Sequence, residues 1–389
     1  MDPDAPIDVP PALLQDPGVD LLSTYWPSAI ALVLAVAAVV LAVRSARRAR
    51  RRGRRVAGIA GWGTLGTLLL AVSLALGVNT WVGYFPSVAT LTRWVDDKLR
   101  APVTEFPTTA VVAPDSEAVP GKSAARVTTD DRGYAFLAAV PSTAPRVPST
   151  GAWVYLPPGY DAPGNTARYP VVYLLHGAPG SAADWFAGGR IDYLLDTLIA
   201  AGSIPPVIAV SPDLNAGADR VDDEPLDIPG GPQLETFVTK DVVTWADANF
   251  RTAADAEHRV VAGMSSGGLG SLLYGLHHPE LFGGVVSIMP YTTPYTAAVV
   301  ADPAARARNT PLDVIAARGA ATTQKIFLGQ GDGEPTREAT QIRDALRAQG
   351  QTTTLRVFPG LAHNWRTART LMPYGLVWVS KWLGWGGTS

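Results

Sequence analysis

Short apolar runs alternate with helix-like segments along most of this 389-residue chain, and this alternation constrains the fold more than any other feature. From Gly151 onward the runs read GAWVYLPP, PVVYLLHG, PVIAVSPD, HRVVAGMS, GGVVSIMP, KIFLGQG and TLRVFPG. Helices are predicted between them at Ile191–Ala201, Leu234–Asn249, Gly267–His277, Thr336–Gln349 and Met372–Leu383. Strands of about five to seven residues separated by helices of about ten or more form a mostly parallel sheet covered on both faces. The predicted fold class is therefore α/β with a doubly wound sheet, whose functional groups gather at the carboxyl ends of the strands.

A Gly-Met-Ser-Ser-Gly sequence at residues 263–267 lies between a predicted strand and a predicted helix. A nucleophilic serine on such a turn needs small residues two positions before and after it, because the strained turn brings neighbouring backbone into close contact. Ser265 is at the centre of the pattern, and Gly263 and Gly267 flank it. We therefore predict that Ser265 is a nucleophile; the alternative is an ordinary strand-to-helix turn.

A nucleophilic serine requires a base, and the chain contains five histidines. His258 precedes the strand before the turn and is expected at the opposite edge of the sheet. His277 and His278 end the following helix, roughly 15 Å from the serine by helical rise. His176 belongs to a glycine-containing loop. His363, which follows the last strand in GLAHNW, is therefore the predicted base, with an unreactive surface-loop histidine as the alternative.

The base in turn needs a carboxylate that fixes its tautomer and stabilises the imidazolium. Asp332 and Glu334 both follow the strand KIFLGQG, and the resulting order of serine, acid and histidine is the one expected for such a sheet. Asp332 is closer to the end of the strand and is the predicted acid, with Glu334 as the alternative.

The segment HGAPG, residues 176–180, follows the predicted strand PVVYLL. A loop after an early central strand can donate a backbone N–H to a developing oxyanion. The predicted donors are the N–H groups of Ala178 and Ser266, and His176 is then structural. The alternative is a plain Gly/Pro turn.

Over roughly residues 151–384 the chain resembles the esterase D and feruloyl-esterase-like family, which also contains the mycolyltransferases. The resemblance rests on YLPPGYD, YPVVYLLHGAPG, ETFVTKDVVTWADANF, GMSSGGLGSLLYGLHHPELFGGVVSIMP, the run Gly329–Asp332, and GLAHNW. It implies an α/β-hydrolase fold, no cofactor, no metal, and acyl transfer from an ester or thioester to water or an alcohol. Mycolyltransferases as a group use Glu as the triad acid and arrive by signal peptide, whereas this chain resembles the Asp-using branch and has two apolar N-terminal segments.

The two apolar segments, residues 21–43 and 56–78, contain no charged residue. Each is close to the roughly 20 residues with which a helix crosses a bilayer. The loop between them, residues 44–55, holds eight arginines, whereas the preceding residues 1–20 are acidic and contain no Lys or Arg. The positive-inside rule places the loop in the cytoplasm and both flanks outside. Two buried helices of a soluble domain are the alternative, and the absence of a basic region before the first segment disfavours a cleaved signal peptide.

Composition adds three exclusions. The chain has no cysteine, which removes disulfides and thiolate chemistry. The net charge is −2, and because residues 44–55 hold eight arginines, the rest of the chain carries −10, which does not indicate a nucleic-acid partner. Glycines in the second apolar segment allow helix pairing, but the oligomeric state is not predicted.

The predicted regions are an acidic extracytoplasmic tail (1–20), two transmembrane helices (21–85), a juxtamembrane linker with a first strand, GYAFLAAV (86–150), and an α/β-hydrolase catalytic domain (151–389).

Residues 213–232 form an Asp-rich stretch that is predicted to be a rim or lid loop. It is a candidate for attracting a cationic group of a substrate, with a solvated acidic loop or a fortuitous calcium contact as the alternative. The candidate side chains are Asp219, Asp222, Asp223, Glu224 and Asp227. Trp185 and Tyr291 are candidates for an acyl pocket or, equally, for the core.

The sequence thus predicts a multi-pass cell-membrane protein whose extracytoplasmic domain is a serine esterase with the triad Ser265, Asp332 and His363. The expected substrate is a small-molecule or lipid ester, such as an envelope lipid or an acylated glycan. The alternatives are an acyltransferase of mycolyltransferase type and a non-catalytic envelope scaffold.

Overall fold

The computed structural model describes residues 1–14, 21–52, 57–88, 90–92, 95, 128–216 and 224–385. The chain divides into two compact units, one made of residues 1–15 and 102–389 and the other of residues 16–101. The first unit contains an eight-stranded sheet, and the second contains two long apolar helices.

The sheet has the strand order β1-β2-β4-β3-β5-β6-β7-β8. Its strands are β1 (Tyr134–Val140), β2 (Thr150–Leu156), β3 (Val171–Leu175), β4 (Ile208–Pro212), β5 (Arg259–Met264), β6 (Gly284–Ile288), β7 (Lys325–Gly331) and β8 (Thr352–Phe358). The pairs β1–β2 and β2–β4 are antiparallel, and all other neighbours are parallel. Each run predicted to be a strand is a strand here, and GYAFLAAV contributes the edge strand β1.

The described helices, in chain order, are α1 (Pro11–Leu14), α2 (Trp26–Arg52), α3 (Ala57–Val82), α4 (Asp184–Ala187), α5 (Ile191–Ala200), α6 (Leu234–Thr236), α7 (Val243–Asn249), α8 (Ser266–His277), α9 (Ala297–Ala301), α10 (Pro303–Arg308), α11 (Pro311–Arg318), α12 (Arg337–Ala348) and α13 (Trp365–Trp382). A π-helical segment, Phe237–Val242, connects α6 to α7, and 3₁₀ turns occupy Leu21–Ser23 and Ala256–His258. The helix predicted from Met372 begins earlier, at Trp365, because Asn364 caps it by accepting a hydrogen bond from the Thr367 amide. Pro373 therefore lies inside α13.

The central strands β3, β4, β5 and β6 are buried along their whole length, as expected for parallel strands covered on both faces. Helix α8 is also buried along almost its whole length. It packs closely on β6 because residue 275 is glycine: a Cβ there would lie 2.2 Å from the Val285 side chain. This packing fixes the N-terminus of α8 at the carboxyl end of β5.

The second unit is built from α2 and α3, which are both long and apolar enough to cross a membrane, over Trp26–Arg48 and Ala60–Val82. Ser28 on α2 and Ser73 on α3 connect the two helices by a pair of hydrogen bonds, in which each hydroxyl donates to the carbonyl oxygen of the other residue at 2.8 Å. Many apolar side chains on these helices are exposed, among them Val33 (67%) and Leu74 (68%). Such exposure is not expected of the core helices of a soluble domain.

Candidate active site

Ser265 is in a strained turn between β5 and α8. Its φ is 56° and its ψ is −123°, and its amide donates to the Ile288 carbonyl oxygen at 3.0 Å. A Cβ at Gly263 would lie 2.1 Å from the Gly267 carbonyl oxygen, and a Cβ at Gly267 would lie 2.3 Å from that of Leu175. Both glycines are therefore required by close backbone contacts, as the sequence pattern predicts. The strain makes the serine side chain project from the carboxyl edge of the sheet.

His363 lies between the Ser265 hydroxyl and a carboxylate. Its Nε2 is 2.7 Å from Ser265 Oγ, and its Nδ1 is 2.8 Å from Glu334 Oε2. Because an ionised carboxylate only accepts hydrogen bonds, Nδ1 carries the proton and Nε2 accepts from the hydroxyl. Both His363 and Glu334 are partly exposed, so this arrangement is accessible from solvent.

The carboxylate next to His363 is Glu334, whereas the sequence predicted Asp332 in this place. Asp332 Oδ1 instead accepts a hydrogen bond from the Gly360 amide at 2.7 Å, and the Asp332 amide donates to the Phe358 carbonyl oxygen at 3.0 Å. Asp332 therefore connects the end of β7 to the turn after β8, three residues before His363.

Two glycines explain why the nearer carboxylate does not reach the histidine. A Cβ at Gly331 would lie 2.1 Å from the Leu361 carbonyl oxygen, and a Cβ at Gly333 would lie 2.7 Å from it. The Gly333 amide donates to this same oxygen at 2.9 Å. The chain after β7 is thus packed against the loop after β8, and Glu334, two residues further on and one methylene longer than Asp332, reaches His363.

The two predicted oxyanion donors lie at the ends of segments adjacent to Ser265. A Cβ at Gly177 would be 3.4 Å from Ser265 Cβ, so the loop that continues into Ala178 passes beside the nucleophile. Ser266 is the first residue of α8, where the amides point out of the helix end and the helix dipole favours negative charge. Within the described part of the chain, neither amide has an intramolecular acceptor.

His176 is buried and holds this loop in place. Its Nε2 accepts a hydrogen bond from the Leu214 amide at 3.0 Å, so Nδ1 carries the proton and donates to the Gly177 carbonyl oxygen at 2.8 Å. In a trans peptide the carbonyl and the following N–H point in opposite directions. The hydrogen bond to the Gly177 carbonyl therefore orients the N–H of Ala178.

The two aromatic candidates for an acyl pocket differ in position. Trp185 is fully buried, its Nε1 donates to the Leu175 carbonyl oxygen at 2.9 Å, and its ring packs edge-on against Trp365. It is a core residue. Tyr291 is half-buried just beyond β6, and its hydroxyl donates to Glu224 at 2.8 Å. Burial, followed by the charge of Glu224, raises the pKa of Tyr291, so it stays a neutral donor.

Glu224, which the sequence suggested as a candidate for binding a cationic substrate group, is fully buried. Its Oε2 accepts the amides of Tyr295 and Thr296 at 3.0 and 2.8 Å, which ties the acidic stretch to the loop after β6. Asp227 accepts two hydrogen bonds from Thr236. The carboxylates of Glu224 and Asp227 therefore accept hydrogen bonds from groups of the protein itself. The other candidates, Asp219, Asp222 and Asp223, lie outside the described residues. No group of three or more His, Asp or Glu suited to a metal ion occurs within the described ranges.

A doubly wound sheet with a serine on the turn after β5, and a histidine and a carboxylate on the loops after β8 and β7, defines an esterase of the α/β-hydrolase fold. The chain belongs to the putative esterase family, whose model matches residues 148–376.

The relatives support this assignment. An endo-1,4-beta-xylanase/feruloyl esterase of Xylanibacter ruminicola is 31% identical over 225 residues, which are 56% of this chain and 27% of that protein. An esterase of Mycobacterium tuberculosis is 39% identical over 125 residues, which are 32% of this chain and 25% of that protein. The chain thus spans only about a quarter of the length of these curated relatives.

Solved structures show the same fold. A ferulic acid esterase superposes with a TM-score of 0.56 at 22% identity, over 64% of this chain and 99% of that one. An S-formylglutathione hydrolase from Agrobacterium tumefaciens superposes with a TM-score of 0.55 at 21% identity, over 66% of this chain and 98% of that one.

Proposed function

We propose that this protein is a membrane-anchored serine esterase that hydrolyses a carboxylic ester outside the cytoplasm, with Ser265, His363 and Glu334 as its triad. The observation that carries the proposal is the continuous hydrogen-bonded path from the Ser265 hydroxyl through His363 to Glu334, at 2.7 and 2.8 Å. Family membership supports ester chemistry on this site.

The reaction follows from the positions of the hydrogens. Ser265 Oγ attacks the ester carbonyl carbon while its proton moves to His363 Nε2, and the Glu334 carboxylate stabilises the resulting imidazolium. The amides of Ala178 and Ser266 bind the oxyanion. The imidazolium then protonates the departing alcohol, which leaves an acyl group on Ser265. Water then attacks the acyl carbonyl carbon while His363 takes one of its protons, and the imidazolium returns this proton to Ser265 Oγ as the acid is released.

The proposed location is supported by the apolar helices α2 and α3 and by the arginines of residues 44–55, because the positive-inside rule favours a cytoplasmic position for such a basic segment. A tethered extracytoplasmic esterase meets envelope lipids and acylated surface glycans at high local concentration. These are the proposed substrates.

A second candidate is an acyltransferase that moves the acyl group from Ser265 to a glycan or lipid hydroxyl. The position of Glu334 favours it, because the mycolyltransferases that the chain resembles use a glutamate as the triad acid. The first half of the reaction is the same, and only the acceptor differs.

The test uses a fluorophosphonate probe on membranes that contain the full chain. Wild-type protein is expected to be labelled and to hydrolyse short p-nitrophenyl esters, whereas Ser265→Ala protein is expected to do neither. Ser266→Ala is the matched control, because it keeps the backbone amide and is expected to be labelled. Equal labelling of wild-type and Ser265→Ala protein would remove Ser265 from the mechanism, and no labelling or turnover in either would favour a non-catalytic scaffold.

Hydrolysis and transfer are separated by adding a sugar or glycerol acceptor to the wild-type reaction. A hydrolase gives free acid with or without the acceptor. A transferase gives acylated acceptor in place of the acid.

A further inference from the structure

The N-terminal tail, residues 1–14, binds the catalytic unit although α2 and α3 separate the two in sequence. Arg347 donates to both carboxylate oxygens of Asp4 at 2.7 Å, and the Thr354 hydroxyl donates to Asp4 Oδ1 at 2.8 Å. Arg347 is on α12 and Thr354 is on β8. One side chain of the tail is thereby bound to two elements of the catalytic unit.

Further contacts extend along the tail. The Arg356 guanidinium donates to the Ala5 carbonyl oxygen at 2.5 Å, and the Trp378 indole N–H donates to the Pro3 carbonyl oxygen at 2.9 Å. Val9 is only 4% exposed. The short helix α1 packs against α13 and α5. We call residues 1–14 and these contacts the clasp.

Several kinds of interaction are needed to hold such a tail. The Asp4–Arg347 pair is partly exposed, at 47% and 36%, and a pair of this kind contributes little alone. Burial acts to raise the pKa of Asp4, but the hydrogen bonds from Arg347 and Thr354 outweigh it and lower that pKa, so Asp4 stays ionised. The hydrogen bond from the neutral Trp378 indole to the Pro3 carbonyl oxygen and the burial of Val9 add interactions that salt does not screen.

We infer that the clasp is a second, shorter tether, which joins the catalytic unit to the membrane helices from their N-terminal side and favours esters in or at the bilayer. The inference rests on the proposed membrane anchoring. The tail precedes α2, and the rest of the catalytic unit follows α3. The clasp can therefore form only if the tail and the rest of the catalytic unit lie on the same side of the membrane. The chain then crosses the bilayer an even number of times.

The lengths of the two segments that connect the catalytic unit to α2 and α3 determine how strongly the clasp raises its effective concentration at the membrane. Residues 15–25 connect the clasp to α2, about 11 residues that span about 40 Å at full extension. Residues 83–127 connect α3 to the catalytic unit, about 45 residues that span about 150 Å at full extension. When the clasp is open, only the longer connection limits the reach of the catalytic unit. Effective concentration falls roughly as the −3/2 power of tether length, so opening the clasp is expected to lower it at the membrane about eightfold.

The absence of cysteine from the chain makes thiol labelling a direct test. In sealed, right-side-out membranes, a membrane-impermeant maleimide is expected to label Leu14→Cys and Val300→Cys, which are exposed positions on the tail and on α9. Ala49→Cys, among the arginines of residues 44–55 and beyond the candidate span Trp26–Arg48, is expected to react only after permeabilisation. Val9→Cys is expected to react slowly in the clasped chain and quickly when Asp4→Arg is added.

Activity tests the consequence for substrate choice. Asp4→Arg and Arg347→Asp proteins are expected to keep wild-type turnover of soluble p-nitrophenyl acetate and to lose up to about eightfold in rate on a p-nitrophenyl ester of a long-chain acid held in phosphatidylglycerol vesicles. The double exchange, Asp4→Arg with Arg347→Asp, restores the ion pair in reverse and is expected to recover most of the rate on vesicles.

Three results would overturn the inference: equal labelling rates of Val9→Cys with and without Asp4→Arg, labelling of only one of Leu14→Cys and Val300→Cys in sealed membranes, or an unchanged rate ratio between vesicle and soluble esters in the single variants. Fluorophosphonate labelling in the same samples keeps this test separate from the proposed function. If the probe fails while Val9→Cys is protected, the esterase proposal fails and the tail contact stands.

Discussion

Glu334 is the residue whose role separates this site most sharply from its sequence-based prediction. Replacing it by Gln keeps a hydrogen-bonding side chain beside His363 but removes the charge that stabilises the imidazolium and allows the wrong tautomer. By analogy with the loss of the acid in serine-protease triads, kcat is expected to fall by about 10²–10⁴-fold. The measurement is kcat and KM on p-nitrophenyl acetate.

Asp332→Asn is the matched control, because its side-chain oxygen can still accept from the Gly360 amide. It is expected to keep kcat within about tenfold of wild type. A larger loss in Asp332→Asn than in Glu334→Gln would return the role of triad acid to Asp332.

His176 is predicted to act on the oxyanion through the Gly177–Ala178 peptide rather than by touching the substrate. In His176→Ala the Gly177 carbonyl loses its hydrogen bond, so the Ala178 N–H loses its fixed direction, and kcat is expected to fall by up to about 10²–10³-fold with KM little changed. His176→Gln, which can donate to the same carbonyl, is expected to recover part of kcat. A rise in KM with unchanged kcat would contradict a role in orienting the oxyanion donor.

The sequence predicted two of the three residues in the hydrogen-bonded path because Ser265 and His363 each follow a recognisable strand and have few competitors. The acid was not decided by the sequence, since two carboxylates stand two positions apart after β7. The deciding contact, between Gly331, Gly333 and Leu361, joins loops about 30 residues apart and leaves no local pattern.

At the scale of elements, Glu235 connects α6 to the end of α8. This carboxylate is buried, and its Oε1 lies 2.9 Å from His277 Nδ1, 2.8 Å from His278 Nε2 and 2.9 Å from an Arg308 nitrogen. Burial acts to raise the pKa of Glu235, but the hydrogen bonds from His277 and His278 outweigh it and lower that pKa to about 2. The hydrogen bond to Glu235 raises the pKa of His278 above its ordinary value, and burial opposes this only in part.

These two shifts predict a stability maximum in mildly acidic solution. The lowered pKa of Glu235 contributes stability above about pH 4.5, which is lost as the pH falls towards 2 and amounts to at most about 3 kcal/mol. The raised pKa of His278 contributes stability below about pH 6.5, which is lost as the pH rises through its folded value. The unfolding temperature of the detergent-solubilised protein, followed by tryptophan fluorescence, is expected to fall on both sides of this window.

Glu235→Gln removes both the carboxylate whose pKa is lowered and the charged partner that raises the pKa of His278, so its unfolding temperature is expected to depend less on pH on both sides. Asp344→Asn, at an exposed carboxylate paired with Arg343, is the control and is expected to keep the wild-type profile. A Glu235→Gln protein with an unchanged profile would show that other groups set the pH dependence.

Strand and helix periodicity were enough to predict the eight strands, because each is an apolar run bounded by turn residues. The short helices α9, α10 and α11 were not predicted. They follow one another between β6 and β7 and bury few residues, so they lack the apolar spacing that marks a packed helix. The π-helical segment between α6 and α7 likewise has no sequence signature.

At the scale of the whole molecule, the clasp could not be predicted from the sequence. The tail belongs to a short acidic segment, residues 1–20, with five aspartates, and a charge run of this kind usually indicates a solvated end. Asp4 binds Arg347 and Thr354, which lie some 350 positions away in the sequence. Both partners are on elements whose residue patterns are already explained by the packing of the sheet and its helices.

The arginines of residues 44–55 are predicted to set the side of the membrane on which the whole protein functions. Replacing the eight arginines by Gln removes the charge that, in the proposed orientation, favours a cytoplasmic position for residues 44–55, so a fraction of molecules is expected to insert with this segment outside. Because the clasp needs the tail and the catalytic unit on one side, an inverted molecule carries both into the cytoplasm together. A membrane-impermeant fluorophosphonate probe would then label Ser265 fully only after permeabilisation.

Replacing Asp8, Asp16 and Asp20 by Asn is the matched control, because acidic residues contribute little to orientation and these three positions leave Asp4 intact. This variant is expected to be labelled in sealed membranes as completely as wild type. If the variant without the eight arginines of residues 44–55 were also labelled completely without permeabilisation, these arginines would not determine the orientation. If wild-type protein needed permeabilisation, the catalytic unit would lie in the cytoplasm, and esters of the cytoplasmic leaflet would replace envelope esters as the substrates to test.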